Sequence, residues 1–200
     1  MRLGKKKKAK WEDHYSRKAK KERYPARSIY KLQEMQDKYN IIKKGDNVLD
    51  LGCSPGSWLI YTANMTGKNG HVVGIDLKPV TIKVPSHAKV YTKNVLDVED
   101  DFWESLNMAF NSVISDMAPL TTGNKFVDAA RSVNLCEAAL SIARKRLVKN
   151  GVFLCKIFQG EDFKRFSDSV KKVFNKHYIF KPHSSRNSSK EIYVIGLGKK

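Results

Sequence analysis

Cysteine is scarce in this chain. Its three thiols, Cys53, Cys136 and Cys155, are odd in number, far apart and without metal-site spacing. Neither a disulfide framework nor a cysteine-ligated metal organises such a chain, and the thiols read as reduced, as in a cytosol. The five histidines are scattered as well, with no HExxH pattern, so no metal site is expected. No apolar run approaches the roughly 20 residues of a bilayer-spanning helix. The start Met1-Arg2-Leu3-Gly4-Lys5 also lacks the apolar stretch of a secretory signal. A cytoplasmic protein with no membrane partner is expected. Acids are short too: 20 Asp and Glu face 38 Lys and Arg, a formal net charge of +18.

An excess of that size repels itself and suits an anionic partner. Nucleic acid is the commonest, and an acidic membrane surface is the competitor. A hydrophobic fraction of 41% is enough for a packed core, and 200 residues suit one domain or one domain with a tail. The charge is concentrated at the start. Residues 1–31 hold thirteen Lys or Arg against Glu12, Asp13 and Glu22, a net +10. Residues 1–24 read as a basic extension, mobile over the first ten, with Trp11, Tyr15 and Tyr24 placed for base stacking among the cations. A merely solubilising tail is the plainer alternative. Residues 25–200 read as one folded domain, expected to be monomeric.

Pro25 closes the extension. Ser28 stands where an N-cap would, and Ile29, Leu32, Met35 and Tyr39 follow at helical spacing. At about 100° per residue, Lys31 lies roughly 40° from Met35, on the edge of the apolar stripe. There it can border a cleft or simply snorkel. Short β-branched runs follow at 47–53, 71–77, 89–94, 112–118, 152–158, 178–181 and 192–197. Helices are predicted over 57–65, 99–108, 125–149 and 161–174, the long one stopped by Asn150-Gly151. Such alternation predicts an α/β, Rossmann-like fold with a seven-stranded, mostly parallel sheet. Residues 182–190 hold no helix, so the last strand should run antiparallel at the sheet edge.

The segment Asp50-Leu51-Gly52-Cys53-Ser54-Pro55-Gly56-Ser57-Trp58 runs from the first strand through a turn into a helix. Gly52 and Gly56 let the backbone approach a ligand where a Cβ would collide. Ligands of open α/β sheets lie beyond the carboxyl ends of the strands. Asp76 ends the second strand, where a carboxylate accepts from two ribose hydroxyls. Asn94 ends the third, where an acceptor can meet an adenine amino group. The loop matches neither the GxGxxG dinucleotide fingerprint nor the GxxxxGK[ST] phosphate cradle. An NAD dehydrogenase is therefore disfavoured. An adenosine ligand without phosphate fits better, and S-adenosylmethionine is the common one. By itself the loop is shared by methyltransferases and other Rossmann-like proteins.

Five blocks narrow the choice. The 50–58 loop resembles the D-L-G-x-x-P-G-x-W element of the FtsJ family of RNA ribose 2′-O-methyltransferases. Arg27-Ser28-Ile29-Tyr30-Lys31-Leu32, Ser115-Asp116-Met117-Ala118-Pro119 and Lys156-Ile157-Phe158-Gln159-Gly160 resemble further family blocks in the same order. So does Ser184-Ser185-Arg186 with Lys190-Glu191-Ile192-Tyr193. The likeness spans about residues 11–198. It implies the class I S-adenosylmethionine-dependent methyltransferase sheet. It also implies a catalytic set of Lys31, Asp116, Lys156 and Glu191, and cofactor contacts at Gly56, Trp58, Asp76 and Asp116. Asn94 stands where many members have Asp, and an amide still offers an acceptor oxygen. The short chain is most similar to bacterial-type members. Their implied partner is large-subunit ribosomal RNA or the large ribosomal subunit particle, with a uridine of the A-loop as target. A tRNA or mRNA-cap methyltransferase is the alternative enzyme. A catalytically silent RNA-binding ribosome-assembly factor is the alternative of another class, and the intact charged set argues against it.

That set suits the chemistry implied. A methyl on a sulfonium is already activated, so the enzyme must align and deprotonate the ribose hydroxyl. A neutral amine can take that proton, and burial with a second cation nearby favours the neutral form. Lys156, ending a buried-looking strand, is the expected base. Lys31 is the expected second cation, with Asp116 and Glu191 to orient the amines.

Overall fold

The computed structural model describes residues 14–186 and 188–200. Two helices come first, α1 (His14–Lys21) and α2 (Ile29–Tyr39). They are followed by β1 (Asn47–Leu51), α3 (Ser57–Thr66), β2 (His71–Asp76), β3 (Ala88–Thr92), a 3-10 turn (Val95–Asp97) and α4 (Asp100–Ser105). The second half holds β4 (Phe110–Ser115), α5 (Lys125–Arg146), β5 (Leu147–Phe158), α6 (Phe163–Val173), β6 (Phe174–Phe180) and β7 (Glu191–Lys199).

One seven-stranded sheet has the order β3-β2-β1-β4-β5-β7-β6. The first five pair in parallel, whereas β7 is antiparallel to both β5 and β6. The last strand is thus antiparallel as expected, but it lies inside the sheet and leaves β6 at the edge. Each face buries its own apolar layer. Leu49, Val113, Phe153 and Val194 meet α5 and α6 residues such as Val133, Leu140 and Phe166. Val48, Ile114, Leu154 and Tyr193 meet Leu32 and Met35 of α2 and Trp58 of α3. Burying a Leu- or Phe-sized side chain contributes about 1.5–3 kcal/mol, so these two layers supply most of the drive to fold. The sheet order reverses between β1 and β4, which opens the ligand crevice of a doubly wound sheet at their carboxyl ends.

Several expected boundaries move. The long helix ends at Arg146, not at residue 149, because Leu147 turns to extended geometry and pairs with Phe110. Asn150 (φ 63°) and Gly151 instead form an irregularity inside β5, where the register shifts between Phe110 and Ser112. The sixth strand starts at Phe174, not 178. Phe174 is buried and its ring lies 5.9 Å from Phe153, so packing overrides the helical pattern. Ser28 precedes α2, yet its side chain makes no capping bond.

The lysine-rich residues 1–10 and Trp11 lie outside the described residues. From His14 the basic segment is helical. Ala19 is buried with Ile29 and Tyr30, and the Tyr30 hydroxyl donates to Glu22 at 2.9 Å. Tyr15 and Tyr24 are half-buried in the same cluster, with the Tyr15 ring 5.3 Å from Tyr30. They serve packing here rather than standing free for bases. No helix among the described residues is long and apolar enough to cross a membrane.

Candidate active site

The loop after β1 is shaped by glycine where the chain needs it. Gly52 (φ 82°) lies against Met117, whose Cγ would be 2.8 Å from an added Cβ. Gly56 (φ 111°) starts α3 with no side-chain cap. The first N–H groups of α3 therefore have no helical partner and face an anion-binding position. Trp58 is in that first turn, but its ring is buried. Its Nε1 donates to Ser28 O at 2.8 Å, and the ring stacks 6.0 Å from Tyr193. What Trp58 offers a ligand is its main-chain N–H. Ser57 ties the same turn to the segment before α2. Its Oγ accepts from Ala26 N at 2.7 Å and donates to Ala26 O at 3.1 Å.

Asp76 ends β2 as expected. Its Oδ2 accepts from Ser54 N at 2.9 Å and its Oδ1 from Lys78 N at 2.8 Å. An ionised carboxylate has about four acceptor positions, so two stay available. Asn94 does not end β3, which stops at Thr92. Instead it caps the 3-10 turn, with Oδ1 accepting from Leu96 N at 3.2 Å and Nδ2 donating to Asp97. One acceptor position of its amide oxygen is therefore already used. Beneath the loop, Asp50 is fully buried and both carboxylate oxygens lack a partner. Burial pushes its carboxyl well above the usual range, and the charges of Asp116 and Asp76 add to the push.

The four expected catalytic residues come together at the carboxyl end of the sheet. Asp116 follows β4, and its main-chain N donates to Leu51 O at 3.2 Å, which joins the ends of β1 and β4. Lys156 pairs with Tyr193 across β5 and β7, and Phe158 pairs with Glu191. Directly paired residues share a face, as do residues two apart on one strand. Lys156, Tyr193 and Glu191 therefore project to one side, the side covered by α2 and α3. There Lys156 is 7% exposed, and its Nζ is 3.1 Å from Asp116 Oδ1. It also donates to the Asp116 main-chain oxygen. Lys31, from α2, lies 2.5 Å from Glu191 Oε1. The charges form two lysine–carboxylate pairs, so each amine has its own acid.

Two further residues build this arrangement. The Tyr193 hydroxyl donates to Asp116 Oδ1 at 2.7 Å, and burial together with the charge of Asp116 keeps that hydroxyl protonated. Glu34 accepts from His183 N at 2.7 Å and Ser184 N at 2.8 Å, which clamps the 181–190 loop onto α2 and brings Glu191 to Lys31. Tyr193 belongs to one of the family-like blocks, which assigns it no role. Glu34 carried no signal except its place on the exposed side of α2. Among the described residues, no cluster of His, Cys, Asp or Glu could hold a metal ion.

Gly52 is closed over by Met117 and Gly56 by Ile82 and Val80, and Asp50 is fully buried beneath them. What the loop leaves open is therefore the uncapped start of α3 with the Asp76 and Asp116 carboxylates beside it. That opening fits a ligand that carries both an ammonium and a carboxylate beside an adenosine. A family model described as FtsJ-like methyltransferase matches residues 24–199. A protein of Desulforapulum autotrophicum named ribosomal RNA large subunit methyltransferase E is 56% identical over 97% of this chain and 96% of its own length. One of the same name from Desulfatibacillum aliphaticivorans is 48% identical over 100% of this chain and 97% of its own. A solved structure described as a ribosomal RNA methyltransferase from Plasmodium falciparum superposes with TM-score 0.74. It is 26% identical and covers 88% of this chain and 98% of its own. Aeropyrum pernix fibrillarin, crystallised with natively bound S-adenosyl-L-methionine, shares the fold at TM-score 0.63 and 16% identity, over 85% of this chain and 76% of its own. With its charged set assembled at the carboxyl end of a seven-stranded methyltransferase sheet, the chain belongs to the FtsJ-like methyltransferase family.

Proposed function

We propose that the protein transfers a methyl group from S-adenosylmethionine to a ribose 2′-hydroxyl of large-subunit ribosomal RNA, at a uridine of the A-loop. The observation that carries this reading is the meeting of Lys156, Asp116, Lys31 and Glu191 beside the glycine-shaped loop. The names and 48–56% identities of the relatives support it.

S-adenosylmethionine supplies an activated methyl on its sulfonium. Asp76 would hold the ribose of that cofactor through its remaining acceptor positions, and the Asn94 oxygen would accept from the adenine amino group. The exposed Leu77 and Leu96, next to those two residues, offer apolar surface to the purine. The main-chain N–H groups at the start of α3, after Gly56 and including that of Trp58, would receive the carboxylate end. Asp116 would accept the ammonium on Oδ2, since both of its side-chain contacts fall on Oδ1.

Lys156 acts as the general base. Both contacts of its Nζ are donations to oxygens of Asp116, so the third position of the nitrogen is left to face the 2′-hydroxyl once the amine has lost a proton. Its lone pair then stays available to take the proton of the 2′-hydroxyl. Lys31, on the same side, is neutralised by Glu191, so the pair would orient the nucleophile rather than add an unpaired cation beside Lys156. Residues 1–24 act as a basic RNA-binding extension of the single domain formed by residues 25–200.

Mapping 2′-O-methyl positions in ribosomal RNA from cells lacking the protein tests the reading. One A-loop uridine should lose its methyl and regain it when the gene is restored. An unchanged map would remove the proposal.

A further inference from the structure

The loop after Asp116 presents apolar side chains to water. Leu120 is 84% exposed and Phe126 75% exposed. They are held there by a built scaffold. The buried Asp128 accepts from Thr122 N at 2.7 Å, Thr122 Oγ1 at 2.9 Å and Gly123 N at 3.3 Å. Asn124 Oδ1 accepts from Phe126 N at 3.0 Å and Val127 N at 3.3 Å, which fixes the first turn of α5. Arg131 Nη1 donates to Leu120 O at 3.4 Å. Ala129 sits so close to Gly160 that a Cβ there would come within 2.7 Å of it, so the start of α5 is seated against the end of β5.

The place is significant. Four residues of chain reach about 14 Å at most, so Leu120 stays within that distance of Asp116. A single exposed apolar residue is ordinary. Here a leucine and a phenylalanine stand out from one braced loop, with Lys125 next to Phe126 in the chain and Arg131, near Asp128, bonded to the Leu120 carbonyl. Aromatic faces among positive charges are what unpaired bases stack on, while the cations take the phosphates.

We propose that Phe126, with Leu120, is a stacking shelf for an unpaired base next to the target ribose, and so helps choose which nucleotide enters the site. The proposal rests on the reading of RNA as substrate. It gives the 120–126 loop a role in RNA affinity that is separate from cofactor binding and from the chemical step.

The test compares wild type, Phe126→Ala, Leu120→Ala, Phe126→Tyr and Lys125→Ala. Binding is measured to protein-free large-subunit ribosomal RNA and to large-subunit particles, both from cells lacking the protein. Calorimetry with S-adenosylmethionine shows that each variant is folded. Phe126→Ala should weaken binding to both substrates by about 5- to 100-fold, the loss expected for one base–aromatic stack. The salt dependence of binding should be unchanged, since every phosphate keeps its cation. Phe126→Tyr should bind like wild type, Leu120→Ala should lose less, and Lys125→Ala should flatten the salt dependence. Unchanged RNA binding in Phe126→Ala overturns the shelf. A loss confined to particles also overturns it and makes the loop a docking point for ribosomal protein. A wild-type protein that methylates neither substrate removes the functional reading, and the binding series then still decides the shelf.

Discussion

Lys156 makes two donations to one residue, and that geometry sets its test. Removing the amine should abolish transfer while leaving the pocket for S-adenosylmethionine in place. General-base assistance is worth about 10²–10⁴-fold, so Lys156→Ala should lose at least that factor in single-turnover rate, with cofactor affinity unchanged. Lys156→Arg should be nearly as damaging, because a guanidinium stays protonated and cannot take the proton. An active Lys156→Arg enzyme would leave only a charge-positioning role. Asp50 gives a second test, of stability. In the unfolded chain it ionises near pH ~3.9, and folding pushes that value well up. Its stabilising contribution is therefore fully present below pH ~4 and is lost as pH rises toward the folded value. Its ionised form would be buried without partners, so Asp50→Asn, which cannot ionise, should be at least as stable as wild type in the cofactor-free protein and lose less stability as pH rises. Thermal unfolding at pH 7 checks this, and a wild type more stable than the variant would refute it. Of these residues, the lysines and Asp116 were legible through the family blocks. The isolation of Asp50 was not, since an Asp inside a buried strand reads only as part of a motif until its surroundings are known.

Elements show where pattern reading works and where tertiary packing takes over. The β1 turn, α2 and the parallel order of the first five strands follow from hydrophobic period and glycine placement. Asn150-Gly151 was a correct turn signal put to another use. Both residues sit within β5, because pairing of Leu147 with Phe110 ends the helix at Arg146. The insertion of β7 between β5 and β6 had no local signal, since sheet order depends on which strand buries Tyr193 and Ile195 under α2. The basic segment belongs to this scale too. From His14 it packs on α2 through Ala19 and Tyr15, so under the proposed function the charges on its outer side and the lysines before it are the expected RNA contacts. Deleting residues 1–10 should weaken RNA binding and reduce the log–log salt slope by about 0.7–0.9 for each phosphate that is no longer neutralised. Cofactor affinity should hold. Filter binding across a salt series measures this, and a slope identical to that of the full chain would reduce the segment to a solubilising tail.

At the scale of the whole molecule, the family match fills residues 24–199, and that unit carries features of its own for choosing an RNA substrate. Its means are general ones. They are its share of the whole chain's net charge of +18, a site at one end of the sheet, and a braced apolar loop that starts within about 14 Å of Asp116. None of these reads a long sequence. Charge attracts any phosphate chain, and a stacking face accepts any base, so discrimination has to come from RNA shape. A folded RNA can present one ribose outward while its phosphates reach basic residues beyond the site. A short single strand can fill the site but reaches fewer of those residues. Large-subunit particles should therefore be methylated with a kcat/KM at least about tenfold above that of short oligonucleotides carrying the same target, the factor that 1.4 kcal/mol of additional binding energy gives. The difference should appear mainly in KM, since Lys156, Asp116 and the bound cofactor are the same in both cases. It should also narrow as salt rises, because the interactions that the oligonucleotide cannot make are largely ionic. Equal kcat/KM values for particle and oligonucleotide would mean that the active-site cleft alone selects the nucleotide, and that the basic surface only concentrates RNA.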